Sequence, residues 1–480
     1  MKKVLLLCAV LAALAGCSVG PDYKRPDTTI PPGYKEAEGW REALPRDSEI
    51  RSNWWEIFND PVLNLLAEKV AVENQSIALA EAQYRQAAAQ VQLARAGYFP
   101  AAGAGATYTR ARSSSTGYDI LNTHNIALSA SWEVDIWGKV RRQVEAGKAS
   151  AEASFADLQA MKLSLQTQLV LNYYQLRMLD EQKKNLDQAI LAYAKALELT
   201  QNRYKAGVAA KADVVQAETQ LKTTQAQAVD LGADRALYEH AIAILIGRPP
   251  ALFSLLPAAF QWPTIAIPVS LPSDLLERRP DIASAERKMA AANAQIGVAK
   301  AAFYPTVTLS GSVGYQGVEL ANLMTSPHFF WAVGPMALAA TLFEGGARIA
   351  KTRQARAAYD GAVASYRQTV LAAFQDVEDQ LAVLRVLAEE AGIQEQAVKA
   401  ARESVALTTN QYKAGIVSYL NVVTAQTMAL NNERTAISIN GQRLKAAALL
   451  VKALGGGWTA DPPGSKPEKG AKTTAEGNKQ

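Results

Sequence analysis

The sequence predicts a mostly α-helical protein with a membrane β-barrel, in which a unit of two strands plus long coiled-coil helices occurs twice. Two observations predict this fold class. Proline is absent between Pro100 and Pro249 and again between Pro335 and Pro462, and apolar residues recur at helical spacing through most of each stretch. Short segments near the start of each unit instead alternate apolar and polar residues, which is typical of strands with one apolar face.

The two units are copies of one design. Residues 75–100 align with residues 280–305 without a gap, and ten of the 26 aligned pairs are identical. Two motif pairs keep nearly the same spacing: Gly97-Tyr98-Phe99-Pro100 with Ala302-Phe303-Tyr304-Pro305, 205 residues apart, and Tyr204-Lys205-Ala206-Gly207 with Tyr412-Lys413-Ala414-Gly415, 208 residues apart. Such a period is too long for a solenoid repeat, so we expect a duplicated, domain-sized unit with pseudo-twofold structure.

The composition bears on the class of partner. Hydrophobic residues make up 49% of the chain and charged residues 20%, as expected for an ordered protein, and the formal net charge is only +5. The sequence has no basic stripe with interleaved aromatic residues, so we expect no nucleic-acid partner.

The first 16 residues have the layout of a secretory signal peptide, because two lysines precede an apolar run over 4–14 and small residues lie before Cys17. Residues 14–17 resemble a bacterial lipobox, after whose cleavage Cys17 is the N-terminal residue and carries covalent lipid. The alternative is an ordinary signal peptide followed by a coincidental cysteine. Cys8 leaves with the signal, so no disulfide can form within the mature chain.

The segment after Cys17 is rich in proline and charge to about residue 50, which predicts an extended segment that lies against the body. Helical spacing begins near Trp54-Trp55, with a break around Asn59-Asp60-Pro61, where proline fits a first helical turn. No later stretch reaches the roughly 18 consecutive apolar residues of a membrane-spanning helix. Strands are therefore the elements that we expect to cross a bilayer.

Two β-hairpins supply those strands. The even positions from Ile126 to Ile136 are all apolar, and residues 307–316 repeat the alternation in the second copy. Trp132, Trp137 and Trp331 suit an interfacial aromatic girdle. We expect strands at about 98–112, 122–137, 303–318 and 329–344, with loops near 113–121 and 319–328.

A long helix follows each hairpin and a second helix returns. Residues 139–204 form a helix of roughly 65 residues, or about 98 Å, and its leucines and tyrosines from Leu158 to Tyr204 recur at coiled-coil spacing. The predicted long helices are 139–204, 211–245, 347–412 and 418–454. A linker over 251–272 joins the repeats, which span 51–250 and 273–458, and the composition of 459–480 predicts a disordered tail.

Four strands cannot close a barrel, and an open sheet edge in a bilayer leaves unpaired backbone groups that cost several kcal/mol each. Several chains must therefore share one barrel, and twelve strands from three chains is the smallest total that we expect to leave an open lumen. Helices of about 98 Å cannot fit within a bilayer about 30 Å thick, so they must project into an aqueous compartment.

Five motifs occur in order through nearly the whole mature chain: Gly20-Pro21-Asp22-Tyr23-Lys24-Arg25-Pro26, Arg278-Arg279-Pro280-Asp281-Ile282, Phe303-Tyr304-Pro305, Leu342-Phe343-Glu344-Gly345-Gly346 and Lys452-Ala453-Leu454-Gly455-Gly456-Gly457-Trp458. Together they resemble the lipoprotein, NodT/OprM-like branch of the TolC-like outer membrane factors.

The resemblance implies a homotrimer with a shared 12-stranded β-barrel in the outer membrane and a periplasmic α-barrel. It also implies docking to a periplasmic adaptor (membrane fusion) protein and an inner-membrane transporter, of RND type, for the export of drugs, solvents or metal ions. A lipid on Cys17, with palmitate among its chains, fits the family rule that a residue other than aspartate at the next position, here Ser18, directs a lipoprotein to the outer membrane.

The residues predict no enzyme. His124, His240 and His328 are too far apart in sequence for a local ligand pair, and neither a Walker A loop nor a Gly-x-Ser-x-Gly elbow is present. We therefore expect no metal site and no cofactor beyond the lipid. A passive duct needs neither, because the inner-membrane partner supplies the energy and this chain supplies a path and a gate.

The gate is expected at the helix tips farthest from the barrel. Tyr204, Gly207, Tyr412 and Gly415 mark the turns there, with the glycines as helix ends. A structural role is one interpretation of these four residues, and adaptor contact, which the resemblance implies, is the other.

A constriction is expected just beyond the second turn. Leu420, Asn421 and Thr424 resemble the family's constriction segment, but acids that relatives often carry at the two polar positions are absent. Asp213 stands 208 residues before Asn421 and could supply an acidic ring in a trimer, or it could simply favour the start of its helix through the helix dipole.

Two rival functions share some of these features. An exit duct for secreted proteins has the same architecture and a different cargo, and gene neighbourhood would discriminate the two. A coiled-coil lipoprotein without a pore is the other rival, and the alternating strands argue against it.

Overall fold

The computed structural model describes residues 18–27, 30–36, 53–112, 119–258, 262–263 and 278–456. The predicted signal peptide, Cys17 and the predicted tail lie outside these residues, as does most of the predicted linker. The chain divides into two compact units, one made of Met1–Ile30, Gln75–Leu158 and Asp281–Ala373 and the other of Pro31–Asn74, Gln159–Pro280 and Phe374–Gln480. Each unit thus draws segments from both sequence repeats.

The helices and strands follow the duplicated order of the sequence. In chain order they are α1 (Pro61–Glu73), α2 (Gln75–Ala96), β1 (Ala101–Arg112), β2 (Ile120–Glu133), α3 (Lys139–Lys205), α4 (Lys211–Leu245), α5 (Pro280–Ala301), β3 (Thr306–Gly317), β4 (Phe329–Val333), β5 (Ala337–Ala339), α6 (Ala347–Lys413) and α7 (Tyr419–Ala453). Helices α3 and α6 each contain 67 residues, or about 100 Å of helix at 1.5 Å per residue.

The first unit contains one antiparallel sheet with the strand order β1-β2-β3-β4, and β5 also pairs with β3. The pairing of β2 with β3 joins the two hairpins. Directly opposed residues point to the same face of a sheet, so the register defines two faces. The apolar face carries Ala102, Ala104, Ala106, Ile126, Leu128, Ala130, Trp132, Leu309, Val313, Tyr315, Phe329, Trp331 and Val333. The polar face carries Thr107, Asn125, Ser129, Ser131, Ser310, Ser312 and Gln316.

The predicted strand over 329–344 is wrong in its extent, because the structure has two short strands there. Strand β4 ends before the cis peptide Gly334-Pro335, and β5 begins after it. Pro335 has no N–H to donate to the ladder, and Gly334 adopts a φ of 114°, which lies outside the strand region. Residues 340–344 lie outside any strand.

The first hairpin is also shorter than the prediction of 98–112 and 122–137. Tyr98 and Phe99 donate their N–H groups to the carbonyls of Arg95 and Ala96, so they complete the last turn of α2 instead of starting a strand. At the other end, both Asp135 carboxylate oxygens accept N–H groups, from Val140 and Arg141 at 2.9 Å each, and thereby cap α3.

The extended segment at the start of the described chain is held by polar contacts within the first unit. Asp22 accepts from the Arg142 guanidinium at 2.8 Å, and the Tyr23 hydroxyl donates to Glu286 at 3.0 Å. Arg25 Nε donates to the Tyr366 hydroxyl at 3.0 Å. These contacts tie the segment to α3, α5 and α6.

The second unit is built on helix packing. Its short helix Trp54–Phe58 buries both tryptophans, and Phe58 packs against Tyr174 with ring centroids 5.1 Å apart. Asp60 caps α1 by accepting from Val62 and Leu63, and it also accepts from the Tyr173 hydroxyl at 2.6 Å. The predicted break before Pro61 is therefore a capped helix start.

The predicted seam of α3 is buried for most of its length. Six seam residues are at most 5% exposed, namely Leu158, Leu169, Leu176, Leu179, Leu186 and Tyr193, and three more, Leu165, Ile190 and Leu197, are half-buried. The seam ends before the tip, because Tyr204 is 45% exposed. Among the described helices, none is both long enough and apolar enough to span a membrane.

A glycine exchange tests the packing of the second unit. Gly247 and Gly207 follow helix ends with φ of 70° and 76°, but a Cβ at Gly247 would lie 2.3 Å from the carbonyl oxygen of Glu73, whereas a Cβ at Gly207 would meet nothing within 4 Å. Both alanine variants carry left-handed strain of about 1–2 kcal/mol. We expect Gly247→Ala to lose about 1–3 kcal/mol more, because of the clash. Thermal unfolding followed by circular dichroism measures the difference, and equal melting temperatures for the two variants would contradict this packing.

Candidate functional site: the helix tips

Each long helix of the second unit ends in the same glycine turn. In the first repeat, Val208 N–H bonds to the Arg203 carbonyl and Gly207 N–H to the Tyr204 carbonyl, both at 2.9 Å. This pair of bonds is a Schellman motif, which needs a residue with positive φ, and Gly207 supplies a φ of 76°. Gly415 adopts a φ of 77° in the second repeat, where the corresponding bonds recur.

The tips of the two repeats contact each other through Arg203. Its guanidinium lies 4.7 Å from the centre of the Tyr412 ring, which is cation–π geometry. Its Nη1 also donates to the Lys413 carbonyl at 3.0 Å, so it satisfies one of the last carbonyls of α6. One side chain of α3 therefore fastens the end of α6.

A small apolar core lies beneath this contact. Ala217, Tyr412, Tyr419 and Val422 form a buried cluster, and the two tyrosine rings meet edge to face at 5.3 Å. Burial raises the pKa of Tyr419 to about 12, and the nearby Tyr412, Tyr193 and Asp213 side chains contribute to that rise. Tyr419 is therefore uncharged at neutral pH.

The three predicted constriction residues share one exposed face of α7. Leu420 is 52% exposed, and Asn421 is exposed as well, whereas Tyr419 and Val422 on the opposite face are buried. Thr424 is exposed too, and its hydroxyl donates to the Leu420 carbonyl at 2.9 Å, as is common for threonine within a helix. This face is thus free to line a passage or to meet another chain.

Asp213 lies in the first turn of α4 and is half-buried. The N-terminal residue before the helix, Ala210, offers no side-chain cap, so the Asp213 carboxylate is the acidic group of this helix start. The carboxylate is also near enough to Tyr419 to raise the pKa of that phenol. Both interpretations of Asp213 given by the sequence therefore remain compatible with its position.

The sequence did not single out Arg203 or Tyr419, which connect the tips. The available signal for Arg203 was its place directly before the Tyr204 motif, where the second repeat has Gln411. A difference between the copies at an otherwise repeated position can mark a residue with its own role.

Outside the tips, the histidines gain neighbours that spacing did not predict. His124 lies within β2, with its ring 4.9 Å from that of Tyr108, and it pairs with Gly317. His328 packs over that same glycine. Within the described ranges, no group of three or more His, Cys, Asp or Glu side chains could hold a metal ion.

Comparison with known proteins gives consistent matches. The model of the outer membrane efflux protein family matches residues 66–248 and 271–456. The nodulation protein T of Rhizobium leguminosarum bv. viciae is 32% identical over 488 residues, which cover 100% of this chain and 99% of that relative. The toluene efflux pump outer membrane protein TtgC of Pseudomonas putida is 29% identical over 467 residues, which cover 95% and 96%. A solved structure of the outer-membrane channel OprN superposes with a TM-score of 0.86 at 30% identity and covers 92% of this chain and 99% of that one.

Removal of the Arg203 guanidinium tests the contact between the tips. In Arg203→Gln, the helix end of α6 loses a charge-assisted hydrogen bond and a cation–π contact, together about 1–3 kcal/mol of local stability. We expect backbone amides near Gly415 to exchange hydrogen roughly 5- to 150-fold faster, as measured by mass spectrometry. Arg402→Gln is the matched control, because Arg402 lies on α6 itself and pairs with Glu433 instead. Unchanged exchange near Gly415 in Arg203→Gln would show that Arg203 does not fasten the tip.

Proposed function

Because the chain belongs to the outer membrane efflux protein family, we propose that it forms the passive, trimeric duct of a tripartite efflux system that carries small toxic compounds from the periplasm to the exterior. The chain is an outer membrane efflux channel, and its long helices extend into the periplasm. The trimer, the gate, the partners and the cargo are the parts that we propose.

The observation that supports the trimer is the open sheet, which has one apolar and one polar face. Within the described strands, β1 pairs only with β2, and β4 pairs only with β3, so each has one edge without a strand neighbour. An unpaired edge is not tolerated in lipid. Edge-to-edge pairing of three copies would satisfy both edges, turn the apolar face to lipid and turn the polar face to a lumen.

The wall of such a lumen needs no specific binding site for the solute. Small hydroxyl groups on the polar face, such as those of Ser129, Ser310 and Ser312, offer hydrogen bonds without a deep binding pocket. A solute can therefore pass without being trapped. Work against a gradient is assigned to an inner-membrane transporter, of RND type, that reaches this duct through a periplasmic adaptor.

The tips are the proposed gate and adaptor contact. Leu420, Asn421 and Thr424 would narrow the passage, because their shared face is open in the single chain. The turns at Tyr204, Gly207, Tyr412 and Gly415 would meet the adaptor, and Arg203 would hold them in the resting position. The narrowing has no carboxylate at the two polar positions, so Asp213 is the candidate for an acidic ring.

Cys17 is proposed as the site of a lipid that anchors the chain in the membrane in addition to the strands. This proposal is based on the resemblance of residues 14–17 to a lipobox. Metabolic labelling with palmitate should mark the wild-type chain and leave Cys17→Ser unlabelled. Equal labelling of both would place the lipid elsewhere.

Deletion of the gene tests the cargo class. The relative TtgC is named for toluene, so toluene and hydrophobic antibiotics are the first compounds to examine. We expect the deletion strain to tolerate several-fold less of these compounds and the intact gene to restore tolerance. Unchanged tolerance together with the loss of one secreted protein from the medium would favour the protein-secretion duct instead.

Neutralisation of Asp213 tests the gate. Asp213→Asn removes the proposed ring of carboxylates, so single-channel conductance in planar bilayers should rise or the preference for cations should fall. Glu218→Gln is a matched control, because Glu218 is an exposed carboxylate on the same helix. If Asp213→Asn leaves conductance and selectivity at wild-type values, Asp213 is no part of the gate.

A further inference from the structure

The apolar face of the sheet ends in a row of a different character. Along the strands, away from the helices, the row with Trp132 and Leu309 is followed by further apolar rows. The last of these rows contains Ala106, Ile126, Tyr315 and Phe329. Tyr108 and His124 form the next row, with the Tyr108 hydroxyl donating to Asn122 at 3.1 Å. Beyond these aromatic rings the same face carries cations.

Those cations are Arg110 and Arg112, both of which are exposed and point to the apolar face, because side chains alternate along β1. Arg110 lies opposite the neutral Asn122, and Arg112 lies opposite Ile120. The acid nearest to them along β2 is Asp119, directly before the strand. A side chain that points to the polar face at this height is Thr109.

Their height on the sheet coincides with a membrane surface. Trp132 and His124 are eight residues apart on β2, or about 26 Å along the strand, which gives about 20 Å of height at a tilt of about 40°. The row of Arg110 lies two residues further, at about 25 Å. Lipid-facing apolar bands of this class are about 25 Å tall, with aromatic girdles at the edges. Arg110 is thus at the level of the lipid headgroups.

The direction follows from the chain connections. Helices α2 and α5 lead into the sheet and α3 and α6 leave it, all at the end where Trp132 lies. With these helices in the periplasm, the Arg110 end lies at the outer leaflet. The outer leaflet of an outer membrane is built of glycolipids whose headgroup sugars carry phosphates.

We propose that Arg110 and Arg112 form a binding site for the phosphate groups of an outer-leaflet glycolipid. The guanidinium fork can hold two oxygens of one phosphate, and an arginine at the end of an apolar band extends naturally toward the headgroups. Two arginines two residues apart on one strand lie roughly 7 Å from each other along it, so both can reach one phosphorylated headgroup. Three copies would place such a site around the rim of the proposed trimer.

The site rests on the orientation in the membrane that the proposed duct also requires. Its test is therefore lipid binding, which can fail while conductance and export persist. The probe is purified full-length protein in a non-ionic detergent, titrated with bisphosphorylated lipid A, with chemically dephosphorylated lipid A and with inorganic phosphate. Binding is measured directly from retained lipid and independently from the melting temperature.

We expect the wild-type protein to bind bisphosphorylated lipid A at least about tenfold more tightly than the dephosphorylated form. The double variant Arg110→Gln, Arg112→Gln should lose that preference. The matched control is Thr109→Arg, Arg110→Thr, which keeps the net charge at the same height and moves one cation to the polar face. It should bind more weakly than the wild type.

Three results would overturn the proposal. The first is equal affinity of the wild type and the double variant for bisphosphorylated lipid A. The second is wild-type affinity in the control with the moved arginine. The third is a rise in melting temperature with inorganic phosphate that equals the rise with bisphosphorylated lipid A. That result would indicate a site for free anions and not for lipid. Conductance of the double variant in planar bilayers verifies that it still folds and assembles.

Discussion

Backbone N–H and C=O groups at the edge of a sheet find water in a soluble protein, but inside a bilayer each unpaired group costs several kcal/mol. The described sheet has an unpaired edge on β1 and another on β4, and its exposed apolar face suits lipid. The proposed duct therefore requires this sheet to be completed by further strands. Its partner must present a complementary edge at the same height, and a second copy of this chain meets that requirement. The proposed lumen and the lipid site proposed at Arg110 and Arg112 both depend on this completion.

Duplication explains how each chain can contribute two similar halves to the proposed duct and still place different groups at the helix tips. Both repeats end their long helices in the same glycine turn. Arg203 and Asp213, however, lie in the first copy, where the second has Gln411 and Asn421, and the buried Tyr412 and Tyr419 lie in the second. The contact between Arg203 and Tyr412 uses one residue from each copy, and the second copy has Gln411 where the first has Arg203.

The sequence predicted elements whose signal is periodic. Helix α3 contains enough turns for its seam to be read directly, and β2 alternates apolar and polar residues from Asn125 to its end, so both were found from residues alone. The prediction of one strand over 329–344 missed the break at Gly334-Pro335, where the missing N–H of Pro335 ends the pairing of β4. The predicted strands extended too far at Tyr98 and Asp135. Tyr98 completes the last turn of α2 and Asp135 caps the start of α3, so neither belongs to a strand.

The candidate site was predicted in place but not in its contacts. Glycine turns and a resemblance located the tips, because a positive φ leaves a mark in the sequence. The position of Arg203 over Tyr412 depends on two helix ends more than 200 residues apart meeting in space, which no local pattern encodes. The same holds for His124 and His328, which are distant in sequence and both neighbours of Gly317.

The most direct test of the shared sheet is the mass of the purified mature protein in detergent, from light scattering corrected for bound detergent. Three chains per particle, together with dependence on detergent or lipid for solubility, is the predicted result. A stable single chain that remains soluble without either would contradict the shared sheet and, with it, the duct.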